Sequence, residues 1–184
     1  MELQRSERYF GAPVDAAEAA KMQVSWGMDK PGEARVAQTS HFVVSFPEGT
    51  DRDAAERAGR AWAEEMFESG RFGDQWDYYT AYHRDTAYPH IHVVVSRRGM
   101  ENGDWLKVSN RGALNFDALR EVQVEVSERE GIFLEASPRL ARGVHARPVP
   151  DAEYRRAQEM GRAPVPPAHS EVSAAAAAAA VLYH

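Results

Sequence analysis

Alternation of apolar and polar residues marks two segments of the chain as β-strands. In HFVVSF, residues 41–46, every second residue from Phe42 onward is apolar, and in HIHVVVS, residues 90–96, the same holds from Ile91. Successive side chains of a strand point to opposite faces, so these residues predict the buried face of a sheet. The aromatic-rich segment 76–83 predicts a third strand, and the six residues that join it to residue 90 favour an antiparallel pair.

Four other segments have the spacing or the start signals of helices. Two of them open with a capping-box pattern, Asp15 with Glu18 and Thr50 with Asp53. In the third, a helical face begins after Asn115, but the local alternation VQVEV leaves a strand as the rival interpretation. The predicted helices are 15–26, 51–69, 115–131 and 151–162, and a short strand is expected at Asp104–Val108.

This order of elements predicts an α+β fold, in which an antiparallel sheet carries helices packed on one face. We expect one domain over residues 1–162. Beyond it, residues 163–184 contain APVPP and a run of seven alanines, which predicts a Pro/Ala-rich tail or linker.

Composition narrows the class of protein further. The chain of 184 residues has no cysteine, which excludes thiol catalysis, thiolate metal sites and disulfides, and favours a cytoplasmic location. No apolar run approaches the roughly 20 residues of a membrane-spanning helix, and we expect no membrane partner. The net charge is −6, but the acidic excess lies before Arg97, so local basic patches remain available to phosphates.

Three histidines are candidate ligands of a metal ion. His90 and His92 lie two residues apart, so they share the face of their strand that is opposite to the apolar one. His41 lies on the corresponding open face of its own strand, and the three converge if both strands belong to one sheet. Three neutral imidazoles leave coordination positions free, as a catalytic metal requires.

Two neighbouring residues are candidates for supporting roles. Asp85 is a candidate carboxylate for accepting the second N–H of a metal-bound imidazole, which would fix its orientation. His83 is interpreted either as a further ligand or as a general base, and the sequence leaves both open.

The run AYHRDTAYPHIHVVVSRR, with HFVVSFPEGTD upstream, resembles the three-histidine (HUH) motif of conjugative relaxases, in particular the VirD-type border endonucleases of T-DNA transfer. The resemblance extends over about residues 2–160. It implies a five-stranded antiparallel sheet with helices, and a working ion that is Mg²⁺ or Mn²⁺, with Zn²⁺ as a possibility. By position, His41, His90 and His92 match the metal ligands and Asp85 matches the acidic residue of the motif, whereas Tyr88 stands where the family often has another histidine.

The resemblance also implies a reaction. A relaxase nicks one DNA strand at a transfer origin with a tyrosine, which becomes linked to the 5′ end. The family's tyrosine lies upstream of a stretch like ELQRS, which here follows Met1 directly, so we expect an N-terminally truncated relaxase without the first strand and the nucleophile. Tyr9 is the N-terminal tyrosine of this chain, but its context, SERYFGAP, does not match the nucleophile motif.

The implied partner is single-stranded DNA at a transfer origin, together with accessory relaxosome proteins and a type IV secretion coupling protein. Residues expected to contact phosphates follow the histidine strand: Arg97, Arg98, Lys107 and Arg111. Three alternatives stay open at this point. They are an inactive DNA-binding remnant of a relaxase, a hydrolase with a three-histidine zinc ion, and a purely structural metal site.

Overall fold

The computed structural model describes residues 2–29, 37–84, 86–135 and 151–165. The chain divides into two compact units, residues 1–136 and 137–184. The first contains an antiparallel sheet with helices, which confirms the predicted α+β fold. The predicted domain boundary at residue 162 stays a prediction, and the alanine run lies outside the described residues.

Four strands form the described sheet, in the spatial order Leu3–Arg5, Trp76–His83, His90–Gly99 and Thr39–Ser45, and all neighbouring pairs are antiparallel. The resemblance implies a fifth strand, and the described residues contain four. The strands are β1 (Leu3–Arg5), β2 (Thr39–Ser45), β3 (Trp76–His83) and β4 (His90–Gly99). The helices are α1 (Ala16–Ser25), α2 (Arg52–Phe67), α3 (Phe116–Arg129) and α4 (Asp151–Glu159), and Glu7–Tyr9 form a short 3₁₀ helix.

Helices α2 and α3 cover one face of the sheet and enclose the main core. Helix α2 approaches β4 closely at Gly59, where an added Cβ would lie 2.6 Å from Cγ2 of Ile91. The indole N–H of Trp62 donates to the carbonyl of Leu119 at 3.0 Å and connects α2 to α3. The alternate apolar residues that predicted the buried face lie in this core, as do Trp62, Met66 and Phe67 of α2.

Helix α1 contacts the opposite face of the sheet, which corrects the expectation of helices on one face only. Trp26, which follows α1, stacks on Tyr79 of β3 with 6.0 Å between ring centroids. Its indole N–H donates to Asp77 at 2.8 Å, and Asp77 also accepts two hydrogen bonds from Arg5 of β1. Burial raises the pKa of Asp77, although the contacts with Trp26 and Arg5 oppose the rise. This buried cluster holds β1, which no sequence pattern predicted, at the edge of the sheet.

Other boundaries differ from prediction for local reasons. The first turn of α2 is capped by Asp51, which accepts from the N–H of Ala54, whereas the Thr50 hydroxyl donates to Pro47. The segment predicted at 115–131 forms a helix and not a strand: α3 runs over Phe116–Arg129, and the side chain of Asn115 caps its start. The strand expected at Asp104–Val108 is reduced to one bridge, between Arg98 and Trp105.

A buried carboxylate organises the turn after β4. Asp74 accepts hydrogen bonds from four backbone N–H groups at 2.7–3.0 Å, those of Gln75, Glu101, Asn102 and Asp104. Burial disfavours the ionised form, but the four donors outweigh it and lower the pKa of Asp74. A side chain at Gly99 would collide with this carboxylate, because an added Cβ would lie 2.0 Å from Oδ2.

Candidate metal centre

The register of β3, β4 and β2 places the histidines on the sheet face opposite α2 and α3. His83, the last residue of β3, pairs directly with His90, the first residue of β4. His92 lies two residues further along β4, between Ala81 and Val43 of the adjacent strands. Residues paired across adjacent strands point to the same side, so the three imidazoles meet at one end of the sheet.

The three rings of His83, His90 and His92 form a compact cluster. One ligand atom from each lies within 4.8 Å of the other two. The rings of His83 and His90 stack with 4.7 Å between centroids, and the ring of His92 lies edge-on to both, at 4.9 and 5.1 Å. Small side-chain rotations bring such atoms to the roughly 2.1 Å at which imidazole nitrogen binds a divalent metal.

The orientation of His90 is fixed by the turn that precedes it. Its Nδ1 lies 3.0 Å from the carbonyl oxygen of Tyr88. A carbonyl only accepts, so Nδ1 carries the proton and donates, and Nε2 keeps its lone pair for a metal. The hydroxyl of Thr86 lies 3.4 Å from the same nitrogen.

His41 contacts the cluster through His92. Its Nε2 lies 2.7 Å from Nδ1 of His92, and the two rings stack with 4.9 Å between centroids. The structure therefore brings all four histidines of this face together, with His41 against His92 and the other three sharing one focus. The predicted ligand set of His41, His90 and His92 stays a prediction, and so does the supporting role of Asp85, which lies outside the described residues.

The surroundings of His92 favour the neutral form of its ring. Partial burial lowers its pKa, and the proximity of His41, His83 and His90 lowers it further. At neutral pH the His92 ring is accordingly neutral, the form that donates a lone pair to a metal. Three half-buried imidazoles that converge on one focus fit a divalent cation with open positions.

Comparison with known proteins decides the family. The family model "Relaxase: MobA/VirD2-like, nuclease domain" matches residues 3–132, which include the whole sheet and all four histidines. The chain belongs to this relaxase family. No solved structure matched it.

Curated relatives agree with the relaxase assignment. The chain is 43% identical to the T-DNA border endonuclease VirD2 of Rhizobium radiobacter over 169 residues, or 87% of this chain and 40% of that protein. It is 44% identical to the protein of the same name from Agrobacterium fabrum (strain C58) over 165 residues, or 85% of this chain and 37% of that protein. The chain thus spans about 40% of the length of the relatives it matches.

The basic residues predicted to contact phosphates differ in their surroundings. Arg97 is half-buried, and its guanidinium donates to the carbonyl of Leu106 and lies 5.1 Å from the ring centroid of Trp105. Arg98, Lys107 and Arg111 are exposed. Within the part of the chain that the structure describes, these three side chains form no ion pair, so they are available to an external anion.

Sequence reasoning left the role of His83 open, although a signal for it was present. The six-residue connection joins a strand that ends at His83 to one that begins at His90. In a hairpin whose strands pair up to the connection, those two residues face each other.

Tyr9 lies in the short 3₁₀ helix, and the guanidinium of Arg5 lies over its ring at 3.8 Å from the centroid. Tyr9 therefore belongs to the cluster that holds β1.

Among the described residues of this chain, no helix is long and apolar enough to cross a membrane.

Proposed function

We propose that this chain is the nuclease domain of a relaxase that nicks one strand of DNA at a transfer origin, in T-DNA or conjugative transfer. The observation that carries the proposal is the convergence of His83, His90 and His92 on an open sheet face in a chain of this family. The substrate proposed is single-stranded DNA, and the proteins named T-DNA border endonuclease among its relatives support this class of substrate.

In this proposal, His83, His90 and His92 hold one divalent ion, Mg²⁺ or Mn²⁺, and imidazole ligands also suit Zn²⁺. When bound, such an ion stabilises the negative charge that develops on the scissile phosphate. The contribution of the chain itself is orientation: Tyr88 fixes the ring of His90, and the pairing of β3 with β4 holds His83 opposite it. A site prepared in this way loses little entropy when the ion and the phosphate arrive.

The proposed reaction transfers a phosphoryl group to a tyrosine. The phenolic oxygen attacks the phosphorus, the bond to the 3′ oxygen breaks, and the products are a 3′ hydroxyl and a 5′-phosphotyrosine link. Tyr9 is covered by Arg5, and Tyr78 and Tyr82 are buried, so we assign the nucleophile to none of these three, and the adduct in the test below identifies the tyrosine that attacks. An activity assay of this chain therefore reports on the nucleophile as well as on the metal centre.

The direct test uses a single-stranded oligonucleotide that carries a T-DNA border repeat and a 3′ label. With Mn²⁺ present, we expect cleavage at one position and a labelled protein–DNA adduct that survives denaturing electrophoresis, and neither product in the His92→Ala variant. Metal-dependent binding without an adduct would favour the inactive DNA-binding remnant instead. Zinc-dependent ester hydrolysis without affinity for the oligonucleotide would overturn the proposal.

We further propose that Arg98, Lys107 and Arg111 contact the phosphates of the bound strand. Each phosphate contact contributes about 0.7 to the slope of log K against log salt for single strands. Replacing all three by glutamine is therefore expected to weaken binding and to lower that slope by about 2. Fluorescence anisotropy of a labelled oligonucleotide at several salt concentrations measures both quantities.

A matched control removes the same charge elsewhere. Arg57, Arg71 and Arg129 lie on or next to α2 and α3, on the other side of the sheet, and each is paired with a glutamate. The triple glutamine variant of these residues should keep the slope of the wild type. Equal changes in the two triple variants would mean that net charge, and not a defined surface, determines binding.

The remaining assignments are proposals of the same kind. We propose a cytoplasmic location, accessory relaxosome proteins as partners at the transfer origin, and a type IV secretion coupling protein as the receiver of the DNA-linked product. They follow from the family and from the transfer role proposed above.

A further inference from the structure

We propose that His41 is a positioning residue that selects the metal-binding tautomer of His92. Its importance for metal binding rests on the function proposed above, whereas its effect on the tautomer does not. The observation is the 2.7 Å contact between Nε2 of His41 and Nδ1 of His92, the ring nitrogen that faces away from the shared focus if Nε2 is the ligand atom.

The contact has two possible directions of hydrogen bonding, and only one is compatible with metal binding through Nε2. If His92 donates from Nδ1, its Nε2 has a free lone pair. If His41 donates, the proton of neutral His92 is on Nε2, and that nitrogen is blocked. The proton position on His41 therefore determines whether His92 is ready to bind a metal.

The Nδ1 partner of His90 differs in kind from the Nδ1 partner of His92. Nδ1 of His90 contacts a backbone carbonyl, which only accepts, so the tautomer of His90 is fixed by the backbone. No such carbonyl is found at Nδ1 of His92 in the described part of the chain, where a second imidazole takes this place. The two adjacent ligands thus have their tautomers set by different kinds of partner.

Strand register explains why His41 reaches His92. His41 pairs across β2 and β4 with Val94, so His92 is its diagonal neighbour on the same face. Diagonal neighbours lie about 7–8 Å apart at their backbones, within reach of two rings that lean towards each other. The near-parallel planes, at 17°, and the 4.9 Å between centroids show that the rings do so.

The first experiment needs no metal. Nitrogen-15 NMR of the imidazoles in the metal-free protein, at a pH above their ordinary pKa of about 6.5, reports which ring nitrogen carries the proton. We expect His92 to be protonated at Nδ1 in the wild type, mixed in His41→Ala, and restored in His41→Gln, because the glutamine oxygen takes the place of Nε2 as acceptor. An unchanged His92 tautomer in His41→Ala would overturn the proposal.

The second experiment measures Mn²⁺ affinity in the same variants. Loss of an outer partner of a metal ligand typically weakens binding 10- to 100-fold, so we expect a loss of about that size in His41→Ala and recovery in His41→Gln. A loss in His41→Gln as large as in His83→Ala would identify His41 as a direct ligand and overturn the positioning role. If the wild type binds no Mn²⁺, the proposed function fails while the tautomer result still decides this inference. His41 is exposed, and circular dichroism verifies that both variants fold.

Discussion

Replacing His92 by alanine is expected to abolish tight Mn²⁺ binding while the fold is retained. His92 contacts the other three histidines of the face, so its loss removes one ligand and the contact that joins His41 to the cluster. Loss of an outer partner alone costs 10- to 100-fold in affinity, and loss of a ligand should exceed about 100-fold. Calorimetric titration of Mn²⁺ into wild type and variant measures the difference.

A matched control for this variant lies directly across the strand pair. Val43 pairs with His92, points to the same face and is 51% exposed, so Val43→Ala removes bulk beside the cluster without removing a nitrogen ligand. We expect it to bind Mn²⁺ as the wild type does. Unchanged affinity in His92→Ala would mean that the ion, if any binds, does not use this imidazole.

Replacing Asp74 by alanine is expected to lower the free energy of unfolding by about 3–4 kcal/mol. Four backbone N–H groups lose a charged acceptor at once, and several of them belong to the turn that follows β4. A buried donor without a partner loses its hydration without compensation, which makes the loss larger than the net value of an ordinary hydrogen bond. Urea unfolding followed by circular dichroism measures the change.

Asp104 offers the control for this substitution, since it has the same side chain in the same turn but is exposed. Asp104→Ala should change stability by less than about 0.5 kcal/mol. An effect of Asp74→Ala as small as that of its control would show that the four contacts do not stabilise the turn.

The contribution of Asp74 should depend on pH in one direction. Folding lowers its pKa below the ordinary value of about 3.8, so the ionised group stabilises the native state above that value. This stability is lost as the pH falls through the lower folded pKa. The difference between wild type and Asp74→Ala should thus be complete at pH 7 and shrink below about pH 4.

Strand periodicity was enough to predict the face on which the histidines lie. The period of two residues separates His90 and His92 from Ile91 and Val93 without any knowledge of the neighbours, and the structure confirms both faces. The same reasoning placed His41 on the open face of β2. It could not tell which nitrogen of which ring meets another, because that depends on how far β2 is shifted along β4.

The role of β1 was beyond sequence reasoning for a different reason. Three residues, Leu3–Arg5, are too few to show a period, and the strand is held by tertiary contacts with residues far along the chain. Arg5 reaches Asp77, 72 positions away, and Asp77 in turn holds Trp26. Contacts between residues so far apart in the chain leave no pattern in the local sequence. The local sequence of α1 likewise does not indicate which side of the sheet the helix contacts.

The most direct test of the proposed metal centre is a calorimetric titration of Mn²⁺ into the metal-free wild-type chain. We predict that one ion binds to each chain, because the three imidazoles of His83, His90 and His92 converge on a single focus. A titration in which the wild type binds no ion, with circular dichroism confirming that the protein is folded, would contradict the proposed metal centre and with it the metal-dependent nicking proposed for this relaxase domain.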